Sequence, residues 1–156
     1  MIAALCLAVV APAMAQVSVS PAPDQLDLLA DPDPQLARNK RIAFDFWREV
    51  LEAGHLDRVE TYLTPGYIQH NPVTPTGRSG FLEHFRGRLP ERPISSLIAK
   101  KVVAIVAERN LVIISTVREM NGEQVGGPYT TTYFDMFRIE DGKIAEHWDA
   151  GTKIAM

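Results

Sequence analysis

The sequence predicts an α+β fold, a curved antiparallel or mixed sheet wrapped around three N-terminal helices. Apolar residues recur at helical spacing only between residues 34 and 89, and β-rich runs follow from residue 94 onward. Helices and strands in separate blocks are typical of α+β rather than α/β proteins. The clearest local signal is Asp141-Gly142 between two β-rich runs, which predicts a hairpin with a two-residue loop.

Size and composition limit the function classes. The chain has 156 residues, enough for one ordinary domain. With 46% apolar and 22% charged residues, it fits a soluble globular domain. A net charge of −3 provides no basic surface, so we expect no nucleic-acid partner.

The first fifteen residues resemble an export signal. An uncharged apolar run, Ile2 to Val10, precedes the small-x-small triplet Ala13-Met14-Ala15. The run is too short for a stable membrane anchor, so we predict a signal peptide over 1–15 and a periplasmic or secreted protein. No Lys or Arg precedes the run, and the alternative is a buried N-terminal helix. The single cysteine, Cys6, lies inside this segment, so a processed chain would contain no thiol or disulfide.

The helices are predicted from caps and periodicity. A Pro- and Asp-rich stretch over 16–33 predicts a flexible leader, and the domain is predicted over 34–156. Asp33 followed by Pro34 starts the first helix, which Gly54 ends. A short second helix carries Leu56, Val59 and Leu63 on one side and stops at Pro65-Gly66. A third helix is predicted from Ser79 to Leu89.

The strands come after these helices, apart from one short extended piece, Tyr67 to Pro72. Ile94 to Ala107 and Leu111 to Met120 are β-rich, with a turn between them and another at Asn121-Gly122. The last two strands flank Asp141-Gly142. The two-residue loop predicts that Phe137 faces Glu146 and Asp135 faces Trp148. The sheet face of Asp135 would then carry Tyr133, Asp135, Phe137, Ile139, Ile144, Glu146 and Trp148.

Asp135 is the most unusual residue on this apolar face. Burial disfavours the charged carboxylate, so the side chain needs a partner or a raised pKa. A raised pKa suits a general acid or base that works near neutral pH. The alternative is a structural hydrogen bond to a backbone amide or a Tyr hydroxyl. Glu146 is predicted on the same face, and the alternative to a role in the site is a salt bridge with an Arg.

Two segments resemble the SnoaL-like polyketide cyclase group of the nuclear transport factor 2-like superfamily. One is Tyr67-Ile-Gln-His-Asn-Pro72 with Gly77 and Phe81, and the other runs from Phe134 to Asp149. The order of elements is similar too, and the similarity covers about 34–149. The resemblance implies a cone-shaped fold around a deep apolar pocket. It also implies a homodimer formed through the outer sheet face, and catalysis without a metal or organic cofactor.

The resemblance further implies a site. Asp135 matches the acid/base aspartate of the cyclases, and His70 matches their pocket histidine. Tyr67, Tyr133, Phe137, Glu146 and Trp148 would line the pocket. The chain departs from the group at Ser115-Thr116, where many relatives carry a histidine. For His70 the alternative is a histidine at a strand end that hydrogen-bonds to backbone.

These observations lead to a ranked set of functions. The first is cofactor-free acid/base chemistry on a hydrophobic carbonyl compound: aldol-type cyclisation or condensation, or isomerisation. The second is an exported module that binds a small hydrophobic ligand without converting it, and the third is a purely structural dimer. Because no pair of histidines has ligand spacing, we expect no metal site.

Overall fold

In this computed structural model, residues 16–122 and 127–151 are described, and they form three α-helices and one five-stranded sheet. The helices are α1 (Pro34–Phe46), α2 (Val59–Tyr62) and α3 (Arg78–Phe85). The strands are β1 (Leu63–Gln69), β2 (Val102–Glu108), β3 (Leu111–Met120), β4 (Tyr129–Glu140) and β5 (Lys143–Asp149). The predicted signal peptide, 1–15, lies outside the described residues.

The sheet has the strand order β1-β5-β4-β3-β2. Strand β1 runs parallel to β5, and the other neighbours are antiparallel, so the sheet is mixed. The helices cover one face, and the fully buried aromatic residues Phe44, Phe46 and Phe137 lie between that face and the helices. The predicted α+β architecture is confirmed. Within the described part of the chain, no helix is both long and apolar enough to cross a membrane.

The first helix follows its sequence signals. The Asp33 carboxylate accepts a hydrogen bond from the Gln35 amide at 2.7 Å and caps the first turn. The helix continues beyond Phe46 as a π-helical segment, Trp47–Glu52. Gly54, at φ 75°, ends it, as predicted.

Three predicted boundaries differ from the structure. Leu63 begins β1 rather than ending the second helix, because it pairs with Ile144 and is fully buried. The third helix ends at Phe85, before Gly87 at φ 75°, instead of reaching Leu89. The strand predicted from Ile94 starts only at Val102.

Residues 94–101 are irregular because side chains, rather than a neighbouring strand, satisfy part of their backbone. The Glu52 carboxylate accepts hydrogen bonds from the amides of Ala99 (2.6 Å) and Lys100 (3.2 Å). Gln25 bonds both the amide and the carbonyl of Ile98, at 3.0 and 2.9 Å. Gln25 belongs to the predicted flexible leader, which therefore makes specific contacts with the domain.

Candidate active site

The hairpin turn forms as predicted, but the strands do not keep the predicted register. Asp141 and Gly142 both have positive φ, 48° and 73°, as a type I′ turn requires. Ile139 pairs with Ile144, but Arg138 then pairs with Glu146, so Ala145 is an extra residue in β5. This β-bulge reverses the faces of the rest of β5.

Because of the bulge, two predicted site residues lie on the opposite sheet face from the one predicted. Glu146 and Trp148, which the simple hairpin register placed beside Asp135, lie on the outer sheet face. His147 and Asp149 take their places on the inner face, since Phe137 pairs with His147 and Asp135 with Asp149. The Arg138 guanidinium binds Glu146 at 2.6 Å, so the alternative interpretation of Glu146 as a salt-bridge partner is confirmed.

His70 also lies outside the predicted pocket. Its ring Nε2 is 3.0 Å from Glu146 Oε2, and its side chain is 40% exposed. The ring stacks on Trp148 with 4.7 Å between centroids and 4° between planes. The predicted meeting of Asp135 and His70 is therefore wrong. The cause is geometric: His70 lies just beyond the β1 end, and its neighbours are the outward-facing side chains of β5.

Asp135 does lie on the buried face, where its partner is His147. Asp135 is 5% exposed and His147 is 7% exposed. Asp135 Oδ1 is 3.0 Å from His147 Nε2, and the imidazole stacks on Phe137 at 4.8 Å. Phe137 belongs to the aromatic core and packs against Phe46, so the imidazole of His147 is in contact with the core.

The neighbours of His147 fix its tautomer. The backbone amide of Asn71 donates to Gln69 Oε1 at 3.0 Å, which identifies that atom as the amide oxygen. The same oxygen lies 3.0 Å from His147 Nδ1, so Nδ1 carries a hydrogen. Nε2 therefore faces Asp135 either as a lone pair or as the second N–H of an imidazolium. In both states Asp135 and His147 can share one proton between Oδ1 and Nε2.

The second oxygen of Asp135 is exceptional. Among the described residues, Oδ2 is the only fully buried side-chain nitrogen or oxygen without a hydrogen-bond partner. A buried polar atom without a partner costs about 1–3 kcal/mol. Burial raises the pKa of Asp135 above its usual range, while the hydrogen bond and charge of His147 act against that rise. The pair thus holds a carboxyl group whose proton affinity is increased by the site.

Asp149 is held separately, by neutral donors. The Asn71 amide donates to both of its oxygens, at 2.9 and 2.7 Å, and the Gly151 amide donates to Oδ1 at 2.6 Å. Ligand atoms of Asp135, His147 and Asp149 lie within 4.8 Å of one another, so these are the residues that could hold a cation. The hydrogen bonds of His147 and Asp149 also satisfy them without one.

These groups border a cavity of about 120 Å³ between the sheet and the helices. One wall is apolar and consists of Phe46, Leu51, Phe81 and Phe85; the other is polar and consists of Tyr67, Gln69, Asn71, Thr74, Asp135, His147 and Asp149. At about 30 Å³ per water, the cavity holds about four water-sized groups. It is smaller than the ~300 Å³ pockets that enclose drug-sized ligands.

Three predicted lining residues lie on this inner face, but only Tyr67 borders the cavity; Phe137 lies in the core beside His147, and Tyr133 lies outside the cavity. The Tyr67 hydroxyl accepts a hydrogen bond from Gln69 Nε2 at 3.0 Å, and burial raises the pKa of this phenol, with a further contribution from the Asp149 and Asp135 charges. Tyr133 lies farther along β4, where burial raises its pKa to about 12. Both phenols are therefore protonated at neutral pH and can donate.

Sequence reasoning missed His147, Asp149, Gln69 and Asn71. For the first two, the sequence shows that Ile144 and Ala145 are adjacent apolar residues, and the structure shows that both are buried. A strict alternation of faces cannot bury two neighbours, so this pair indicates a bulge. Gln69 and Asn71 give no such signal, because their roles depend on the parallel pairing of β1 with β5.

A mixed, curved five-stranded sheet folded over three helices is the architecture of the nuclear transport factor 2-like fold. The sequence matches the family model of the SnoaL-like domain over residues 44–147, more than half of the chain. The protein belongs to the SnoaL-like family.

Solved structures show the same fold. A proposed polyketide cyclase from Acidithiobacillus ferrooxidans is 18% identical, with a TM-score of 0.52, and the match covers 72% of this chain and 86% of that one. An epoxide hydrolase from M. tuberculosis, described as LEH-like, is 14% identical with a TM-score of 0.52, and the match covers 75% and 80%. At these identities the likeness shows the fold alone. Among curated proteins, no sequence matches this chain.

Proposed function

We propose that this protein catalyses proton transfer next to a carbonyl group, without a cofactor, in an aldol-type cyclisation or condensation or in an isomerisation. The observation that supports this most strongly is Asp135 Oδ2, a buried carboxyl oxygen without a partner in a residue that borders the cavity. A base at the carbon acid needs a free lone pair, and Oδ2 has one. His147 holds the other oxygen and fixes the orientation of the carboxylate.

The proton moves in a closed sequence. Asp135 Oδ2 takes a proton from the carbon beside the carbonyl, and the electron pair of the C–H bond moves onto the carbonyl oxygen as an enolate. The enolate then attacks a second carbonyl or is reprotonated at another carbon. Asp135 returns its proton to the product, and the hydrogen bond to His147 Nε2 stabilises the carboxylate form between turnovers.

Tyr67 is the best candidate to stabilise the enolate. Gln69 already donates to the Tyr67 oxygen, which leaves the hydroxyl hydrogen available for another acceptor. A phenol with a raised pKa donates without losing its proton. Donors placed at a developing oxyanion typically contribute about 10²–10³-fold to the rate.

The cavity size limits the substrate. About 120 Å³ accepts the reacting end of a molecule, while the remainder has to lie outside. A ligand-binding module without chemistry is the competing function. Binding alone does not require a carboxyl oxygen that is buried without a hydrogen-bond partner, which costs about 1–3 kcal/mol. The unpartnered oxygen of Asp135 therefore favours an enzyme over a binding module.

Deuterium exchange tests the proposal without knowledge of the natural substrate. Cyclohexanone or 2-pentanone is incubated with the protein in D₂O, and NMR follows exchange of the protons beside the carbonyl. We expect faster exchange than in buffer, and a loss of about 10²–10⁴-fold in Asp135→Asn. Glu146→Gln, which alters a carboxylate on the outer face, is the matched control and should retain the rate. Equal exchange with and without wild-type protein would remove proton abstraction from these ketones as the function.

We further propose a homodimer and export. An apolar row crosses the outer face from Val106 through Ile113 and Met136 to Trp148, because these residues pair across neighbouring strands. Phe134, beside the row, is 54% exposed. Exposed apolar patches of this kind often mark protein interfaces. Export rests on the apolar run and cleavage pattern in 1–15.

A further inference from the structure

A second cleft, here called the basic cleft, opens on the same inner sheet face as the cavity. It has a volume of about 500 Å³ and is lined by Lys100, Thr116, Val117, Arg118, Glu119 and Tyr133. Thr116 pairs with Tyr133, and the next inward-facing pair along the same two strands is Ile114 with Asp135. Two residues of strand span about 7 Å, so the basic cleft begins about 7 Å from the backbone of Asp135.

The basic cleft carries two positively charged side chains, although the chain as a whole has a net negative charge. The Arg118 guanidinium lies 5.4 Å from the Tyr133 ring centroid, and the Lys100 ammonium lies 5.3 Å from the Trp47 ring centroid. Aromatic contacts hold a cation in place without neutralising it. Among the described residues, neither cation has a carboxylate within ion-pair distance, whereas Glu119 is paired with Lys101 at 2.8 Å.

The basic cleft therefore presents two unneutralised cations in a chain whose net charge is −3. The cleft also lies next to the reacting end of the site, because its Thr116–Tyr133 pair neighbours the Ile114–Asp135 pair. Tyr133 lines the cleft, and the charges of Asp149 and Asp135, which border the cavity, raise the pKa of its phenol. The charge of Lys100 in turn acts on Asp135, whose pKa it lowers. The cleft and the cavity thus form two neighbouring parts of one inner surface.

We infer that the substrate is an oxo-carboxylate, with its carboxylate in the basic cleft and its reacting carbonyl at Asp135. This inference rests on the proposed function. Arg118 and Lys100 would bind the carboxylate through charge-assisted hydrogen bonds, and Thr116 lies beside them. Two residues of extended strand contain about six backbone bonds, so the spacing of about 7 Å between the two parts corresponds to about five or six carbon–carbon bonds between the carboxylate and the carbonyl.

Binding measurements test this independently of turnover. Isothermal titration calorimetry compares 6-oxoheptanoate with its neutral methyl ester, on wild type, Arg118→Gln, Lys100→Gln and the double variant. We expect wild type to bind the anion about 10-fold more tightly than the ester, and the double variant to lose that preference. Arg92→Gln changes an arginine of another surface cleft and is the matched control, which should keep the preference. Higher salt should weaken binding of the anion only.

The outcomes separate this inference from the proposed function. Equal affinity of wild type for the anion and the ester, or an unchanged preference in the double variant, would overturn the basic cleft as a carboxylate site. Asp135→Asn should keep the preference for the anion. Anion preference without any ketone exchange would support the cleft while removing the exchange chemistry, and would leave a binding module for oxo-carboxylates.

Discussion

At the scale of single residues, the site depends on one carboxyl group in an unfavourable position. Asp135 is buried, and one of its oxygens has no partner. The residue type and the apolar face were enough to single it out from the sequence. Its partner was not predictable in the same way, because His147 reaches the inner face only through the extra residue in β5.

The raised pKa of Asp135 predicts a pH-dependent stability. Between the usual Asp pKa and the raised one, the folded protein keeps a proton that the unfolded chain has lost, so the free energy of unfolding falls as pH rises. Asp135→Asn removes the charge, and its side-chain N–H can donate to the lone pair of His147 Nε2. We expect this variant to be about 1–3 kcal/mol more stable than wild type at pH 7, with the difference shrinking toward pH 3, as measured by urea unfolding.

Glu146→Gln provides the opposite control in that experiment. Hydrogen bonds from His70 and Arg138 hold the pKa of Glu146 below its usual range. Its contribution to stability is therefore present at neutral pH and is lost as pH falls through that lowered pKa. If Asp135→Asn were less stable than wild type at pH 7, the assignment of a costly buried carboxyl would be wrong.

His147 should control the pH at which Asp135 becomes active. Because its hydrogen bond lowers the pKa of Asp135, His147→Leu should let that pKa rise further. The acidic limb of the ketone-exchange profile should then move to higher pH. His70→Leu removes an imidazole from the outer face and should leave the limb in place. An unmoved limb in His147→Leu would show that the Asp135–His147 contact does not set the protonation of the base.

At the scale of elements, the loop after β5 closes the site. The Asp149 carboxylate accepts from Asn71, beyond β1, and from Gly151. A Cβ on Gly151 would crowd the Asn71 side-chain amide nitrogen most and would lie 2.7 Å from Asp149 Oδ1. Both neighbours are side-chain ends, so a larger residue at 151 has to displace the contact between Asp149 and Asn71.

Gly151→Ala should separate Asp149 from Asn71. Overpacking of this kind costs about 1–3 kcal/mol, and we expect a drop in melting temperature with slower ketone exchange. Gly66→Ala is the matched control, since a Cβ there meets nothing within 4 Å. Thermal unfolding followed by circular dichroism compares the two variants. Equal melting temperatures would show that the loop adapts and that Gly151 is not required.

Element types were predictable because each had local causes. The Asp33 cap, the Gly54 stop and the Asp141-Gly142 turn all function as the sequence indicates. The misplaced boundaries have long-range causes instead. Residues 94–101 are shaped by Gln25 and Glu52, side chains distant in sequence, and no periodicity within that segment reveals them.

At the scale of the whole molecule, the two sheet faces differ in the side chains that they carry. The inner face carries the polar cluster, and the outer face carries an apolar row with exposed Phe134. The curved sheet around three helices was predictable, since it follows from the order of the blocks. The presence of a cavity between the sheet and the helices was predictable, but its volume was not, because that depends on how Leu51 and Phe85 pack against the sheet.

Phe134→Glu tests the proposed dimer. A charge on the apolar row should prevent burial of that face against a second copy, so we expect a monomer at concentrations where wild type is dimeric. Light scattering after size-exclusion chromatography measures the mass. Val73→Glu changes an equally exposed apolar residue in a loop and should not alter the mass. A monomeric wild type would end the dimer proposal.

The extra residue at Ala145 has a consequence for how such a protein diversifies. Strand β5 carries two sets of side chains on opposite faces: His147 and Asp149 on the inner face, and Glu146 and Trp148 on the outer face. Inserting a single codon after Ala145, with the bulge retained, would exchange the sets: Glu146 would then pair with Phe137 and Trp148 with Asp135, turning an aspartate–histidine pocket into a glutamate–tryptophan one with every existing amino acid unchanged. A change of length, rather than a point substitution, is therefore the shortest genetic route to different chemistry on this scaffold.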